Sequence, residues 1–209
     1  MILSFFKKDP ALDAASALYA AAVDQAREPV LYERLGAPDT VEGRFEQVTL
    51  HVYLILRRLK GDDQAARAVA QKLFDVMFQN MDDSLRELGV GDLSIGKKIR
   101  KMAENFYGRV GAYEDALGPD AAEGALAAAL GRNIFADEAS PAAARLAFYM
   151  RAAAAAIDAQ PPARLAGGVV RFPEAGPLVA AAIAAQEDAA KGELGGASGR
   201  APESAGETP

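Results

Sequence analysis

The 209-residue chain contains no cysteine, which removes disulfides, thiolate metal sites and thiol nucleophiles at once and is compatible with a reducing compartment. Histidine is nearly absent as well: His51 is the single copy. It falls beside an apolar helical stripe, one turn from Val48 and Ile55. A di-iron bundle would need a glutamate three residues before the histidine, and Val48 stands there. His51 therefore reads as a packed or hydrogen-bonded structural residue, and no metal or cofactor is expected. No stretch approaches the ~20 apolar residues of a spanning helix. The opening MILSFFKKDP is not a secretory signal either, because Lys7 and Lys8 follow a short apolar run where a signal has its charges first. Surplus positive charge is also missing. A net charge of −6 argues against general or sequence-specific nucleic-acid binding, which draws on excess Lys and Arg.

What remains is a chain of ordinary globular composition, long enough for one domain with a proper core. Helical periodicity dominates it, and the predicted fold is all-α. Asp9-Pro10 is an N-cap and first-turn pair for a helix ending near Arg27. A short helix or turn over Val30 to Leu35 follows. Asp39 or Thr40 caps a helix whose Val41, Phe45, Val48, Val52, Ile55 and Leu59 recur at spacings of four and three. Leu50, Tyr53 and Leu54 add apolar surface on its other faces, which predicts a central, buried helix ending at Lys60-Gly61. Asp62 or Asp63 caps the next helix, with Gly89 as its stop. Ser94 is the expected cap of the helix after it, whose stripe is Ile95, Ile99, Met102, Phe106, Val110 and Leu117. Asp120 to Gly131 predicts a short alanine-rich helix. Another starts at Ser140-Pro141 and stops before Pro161-Pro162. Residues 163–176 read as an extended connection, and a last helix follows Pro177. The expected organisation is an N-terminal apolar-basic segment (1–9), a helical domain (10–190) and a disordered tail (191–209), because the composition of the tail becomes Gly, Ser, Pro, Glu and Ala.

The stretch from Met81 to Arg109, MDDSLRELGVGDLSIGKKIRKMAENFYGR, concentrates the distinctive chemistry. Asp82-Asp83 lacks the further aspartate that a magnesium-diphosphate site needs one turn on. Arg86 occupies that place and pairs with Asp82 across one helical turn. Gly89-x-Gly91 follows a helix instead of a strand, so it is a turn and no dinucleotide loop. Lys97, Arg100, Lys101 and Glu104 share one side of their helix, either as a solvated face or as a docking patch for an acidic or nucleic-acid surface. Arg109 projects onto the edge of the apolar stripe, where a guanidinium needs a carboxylate. Asp82, Glu87 and Asp92 are the nearest candidates, so Arg109 is expected to tie the Gly89–Asp92 turn to the helix behind it. At the N-terminus, Ile2, Leu3, Phe5, Phe6, Lys7 and Lys8 form an apolar-basic wedge that either packs on the helical body or rests weakly on an anionic membrane.

These residues carry a resemblance. LYERLGAPDTVEGRFEQVTLHVYLILRRLK, then FDVMFQNMDDSLRELGVGDLSIGKKIRKMAENFYGR, resembles the ubiquinol–cytochrome c chaperone family, the bacterial relatives of a mitochondrial chaperone that assembles cytochrome b into the bc1 complex. The similarity runs from Val30 to Leu117 and over the later helices to about Ala190. Asp82, Leu85, Arg86, Glu87, Gly89, Gly91, Asp92, Lys97, Lys98, Gly108 and Arg109 match the family pattern, and Lys101 belongs to the same basic face. The resemblance implies a non-enzymatic assembly factor whose partner is newly made cytochrome b or another bc1 precursor. For the mitochondrial relatives it also implies a small partner protein and the ribosome. The mitochondrial targeting extension is missing, so the expected location is the cytoplasm, with peripheral contact at the inner membrane. Two other classes remain open: a helical protein or enzyme holding an isoprenoid or haem precursor, and a plain scaffold.

Overall fold

The computed structural model describes residues 9–61 and 63–197. The N-terminal wedge of Ile2, Leu3, Phe5, Phe6, Lys7 and Lys8 lies outside the described residues, as does Asp62. All regular structure among the described residues is helical.

Short-range signals account for most helix starts. The Asp9 carboxylate accepts from the amides of Ala11 and Leu12 at 3.1 and 3.3 Å. Pro10, whose missing N–H costs nothing in a first turn, then opens α1 (Pro10–Ala26). After the short α2 (Pro29–Glu33), the Thr40 hydroxyl accepts from the Gly43 amide at 3.0 Å and starts α3 (Val41–Leu59). A Cβ at Gly43 would collide with the Pro38 carbonyl, so the chain can fold back onto the first turn of α3 only through glycine. Asp63 caps α4 (Gln64–Glu87) through Ala65 and Ala66, both at 3.2 Å.

The next boundary differs from expectation. Helix α5 (Asp92–Leu117) begins ahead of Ser94, with Gly91 at the cap position and no side-chain cap. The Asp92 carboxylate in the first turn complements the positive end of the helix instead. The helix expected from Asp120 is shorter too: Gly124 takes a left-handed conformation (φ 78°), so α6 spans only Ala125–Leu130 and runs on into a π-helical turn, Gly131–Phe135. Helix α7 (Pro141–Asp158) stops before the two prolines as predicted. The region read as an extended connection begins with a short α8 (Pro162–Ala166) before residues 169–174 run without regular structure. Helix α9 (Ala175–Ala197) continues past residue 190, where the tail was expected to begin.

Helix α3 is the axis of the molecule. Leu50, Val52, Tyr53, Leu54, Ile55 and Leu59 are all buried although they point in different directions around the helix. They can all be buried because α1, α4, α7 and α8 surround α3. Full burial of each large aliphatic side chain contributes about 1.5–3 kcal/mol. Its first residue, Val41, belongs to the predicted stripe but is exposed at the mouth of the helix. Helix α1 lies along α4, α6 and α9 pack on α7, and α5 folds back along α4 as an outer layer.

His51 sits in this core, fully buried. Its Nδ1 lies 2.7 Å from the Gln47 carbonyl and its Nε2 2.9 Å from the Tyr149 hydroxyl. Gln25 Nε2 donates to that hydroxyl at 2.9 Å and to the Pro173 carbonyl at 3.1 Å. These contacts assign a neutral ring with its proton on Nδ1: Nδ1–H donates to Gln47, and Nε2 accepts from Tyr149. Burial pushes the His51 pKa down to about 4, which keeps the ring neutral. The Phe172 ring packs edge-on against it at 5.3 Å. One imidazole therefore joins α3, α7, α1 and the 169–174 connection, which is the structural role its isolation in the sequence suggested.

Candidate functional site

The stretch singled out in the sequence forms the α4–α5 hairpin. Helix α4 ends where Gly89 turns left-handed at φ 76°. The Gly89 amide donates to the Arg86 carbonyl at 2.9 Å and the Val90 amide to the Leu85 carbonyl at 3.0 Å, the paired closure of a Schellman stop. Arg86 then spans the turn. It donates to Asp82 at 2.6 Å within α4 and to Asp92 at 2.5 Å in the first turn of α5. Arg86, Asp82, Gly89, Gly91 and Asp92 thus converge on one compact, exposed turn, with Glu87 exposed beside it.

Arg109 does something else. Its guanidinium forms a two-pronged ion pair with Glu46 of α3. The side chains are only 14% and 9% exposed. The expected tie between Arg109 and the Gly89–Asp92 turn is therefore corrected: Arg86 pins the turn, and Arg109 fastens α5 to the central helix. Burial holds the Glu46 carboxyl above its ordinary pKa, with Arg109 pulling in the opposite direction. Nearby, Glu114 of α5 accepts from the Tyr53 hydroxyl of α3 at 2.9 Å and from Lys60, just past the end of α3, at 2.7 Å. The Lys60 ammonium beside it lowers the Glu114 pKa.

Between these anchors lies the feature the sequence did not reveal. Phe74 and Phe78 of α4 meet Phe106 and Tyr107 of α5, with ring centroids 4.5–6.1 Å apart. Phe74, Phe106 and Tyr107 floor an open groove of about 700 Å³ between the C-terminal part of α3, the first half of α4 and the second half of α5. Leu56, Ala70 and Val110 extend its apolar wall, while Arg57, Lys60, Glu114 and Asp115 stand around it. Tyr107 is 61% exposed. A smaller groove of about 220 Å³ opens near the hairpin turn, where Met81, Leu85, Leu88 and Met102 face Phe45 and Val48 of α3.

The remaining motif positions fall on the outer surface. Lys97, Lys98 and Lys101 are exposed along α5. Gly108 is exposed with open space around it, and nothing in the structure accounts for a glycine there. Glu46 and Tyr107 carry no reading from sequence, and Phe74 reads there only as part of the apolar face of its helix. A carboxylate set beside the apolar stripe of α3 was the available signal for Glu46. The aromatic residues of the groove carry no local signal that separates them from core residues. Among the described residues, no group of three or more His, Cys, Asp and Glu side chains is arranged to hold a metal ion. No described helix is long and apolar enough to cross a membrane.

The chain can be placed among known proteins. The sequence profile described as Ubiquinol-cytochrome C chaperone matches residues 33–172, which includes α3, the hairpin and α7. The ubiquinol-cytochrome-c reductase complex assembly factor 1 of Xenopus laevis is 26% identical over 121 residues, 58% of this chain and 60% of that protein. Its counterpart in Homo sapiens is 26% identical over 122 residues, 58% of this chain and 40% of the relative. The chain thus spans 40–60% of the length of these relatives. The crystal structure of the Cbp3 homolog from Brucella abortus superimposes with a TM-score of 0.72 at 40% identity, covering 83% of this chain and 97% of that one. With the profile matched across most of the helical body, and a solved relative sharing the fold, the chain belongs to the ubiquinol-cytochrome C chaperone family.

Proposed function

We propose that this protein is a non-catalytic assembly chaperone that binds newly synthesised cytochrome b and supports biogenesis of the ubiquinol–cytochrome c reductase (bc1) complex. Family membership over residues 33–172 is the observation that carries the reading. The vertebrate relatives are named for assembly of that complex. The open groove on α3, α4 and α5 suits the role physically. An immature membrane subunit presents apolar helices, and an aromatic-floored trough about 700 Å³ in volume offers them a water-excluding surface. The chaperone acts at the membrane face where its client is inserted.

A deletion strain combined with a pull-down tests this. The expected outcome is loss of the bc1 haem b spectrum and of bc1 activity with other oxidases intact, together with recovery of cytochrome b on the tagged protein. A quinone or haem deficiency affecting all oxidases would point to a precursor-binding protein instead. Recovery of no bc1 subunit or precursor would overturn the proposal.

A further inference from the structure

The outer face of α5 has no role in the groove, the turn or the core. Residues three and four apart share a side of a helix, so Leu93, Lys97, Arg100 and Lys101 form one stripe. All four are exposed, and Leu93, at 95%, is the most exposed large hydrophobic side chain among the described residues. Lys98 flanks the stripe, which places four cations within five residues. Lys101 lies 3.6 Å from Glu104, whereas Lys97, Lys98 and Arg100 make no ion pair among the described residues. The acidic groups nearest in sequence are engaged elsewhere or lie on the other helix: Asp82 and Asp92 hold Arg86, and Asp83 and Glu87 belong to α4. Helix α5 therefore carries a run of exposed cations with Glu104 as the one carboxylate paired to it, in a chain whose net charge is −6.

We infer that this stripe of α5 docks the protein onto an anionic phospholipid surface. The cations meet lipid phosphates while Leu93, set among them, enters the boundary of the acyl chains. The apolar residue decides between possible partners. Burying an otherwise fully hydrated leucine beside cations is favourable where phosphate and hydrocarbon lie next to each other, as in a bilayer interface. A nucleic acid backbone offers the phosphates without hydrocarbon and would leave Leu93 in water. Docking of this kind holds whichever membrane subunit is the client.

Sedimentation of the full chain with vesicles at low salt tests it. One set contains phosphatidylcholine alone and the other contains phosphatidylglycerol as a minor component. The wild type is expected to sediment with the anionic vesicles and to remain in solution with neutral ones. Each basic residue at such a surface is worth about fivefold in affinity. The exposed triple variant Lys97→Ser/Arg100→Ser/Lys101→Ser should therefore lose on the order of 100-fold at unchanged helicity and melting temperature. Leu93→Ser should weaken binding by a smaller factor that persists when salt is raised. Equal partitioning of the wild type and the triple variant would overturn the inference, since any binding would then come from another part of the chain. Wild-type protein that ignores the vesicles but binds a duplex RNA probe, with that binding abolished by the triple substitution, would overturn it as well.

Discussion

Three side chains at the core, two of them an ion pair, carry the clearest energetic consequences. Glu46 and Arg109 are held together out of water, so removing one strands the other. Arg109→Ala should lower unfolding stability by about 3 kcal/mol in urea melts, because an uncompensated carboxylate remains inside. The double variant Glu46→Leu/Arg109→Met should recover most of that loss, since an apolar pair of similar size needs no desolvation. A double variant as unstable as the single one would show that the pair does more than neutralise itself. His51 imposes a pH dependence whose sign follows from its buried, neutral state. The unfolded chain takes up a proton near pH 6.5, whereas the folded ring resists until about pH 4. This group therefore costs no stability above pH 6.5, costs progressively more as the pH falls, and stops contributing further loss below about pH 4. Comparing urea melts at pH 7 and pH 5, His51→Gln should narrow the difference by about 2 kcal/mol.

At the level of helices, the α4–α5 hairpin is built so that the turn and the rods are secured independently. The turn rests on Gly89 and on the Arg86 bridge, and the rods rest on Phe74, Phe78 and Phe106 and on Arg109. Arg86→Ala should therefore speed amide exchange at residues 89–95 while leaving exchange in the middle of α5 unchanged. Uniform acceleration along α5 would show that the turn holds the rods together. The groove makes a separate prediction. Tyr107 is mostly exposed, so Tyr107→Glu should leave the melting temperature within a few degrees of wild type and place a charge on the groove floor. Co-purification of the client should drop about tenfold, the loss expected for about 1.4 kcal/mol of binding. Full retention would move the client to another face, and the smaller groove beside Leu85 and Leu88 would be the next surface to substitute.

For the molecule as a whole, a helix buried on nearly every side separates a packed body from a working layer. Helices α1, α6, α7 and α9 complete the core around α3 and the partners it packs against. Helix α5 spends its inner face on α4 and α6, reaches α3 through Arg109 and Glu114, and leaves its outer face open. The all-α class, the central place of Val41–Leu59 and most helix starts were legible in one dimension. Caps, prolines and apolar spacings act within about one turn, and Asp9, Thr40 and Asp63 declare themselves beside the helices they open. The two misplaced starts, at Ser94 and Asp120, fall where a glycine occupies the cap position and no side chain marks the boundary. The charge of Arg109 required a carboxylate to face it, but its mate stands 63 residues away. Which acid arrives there depends on how α5 crosses α3, and that is settled by packing across the whole domain. The groove has the same origin. An aromatic residue on a helical stripe looks alike whether its neighbour closes over it or stops short, so only the arrangement of three helices in space separates core from open surface.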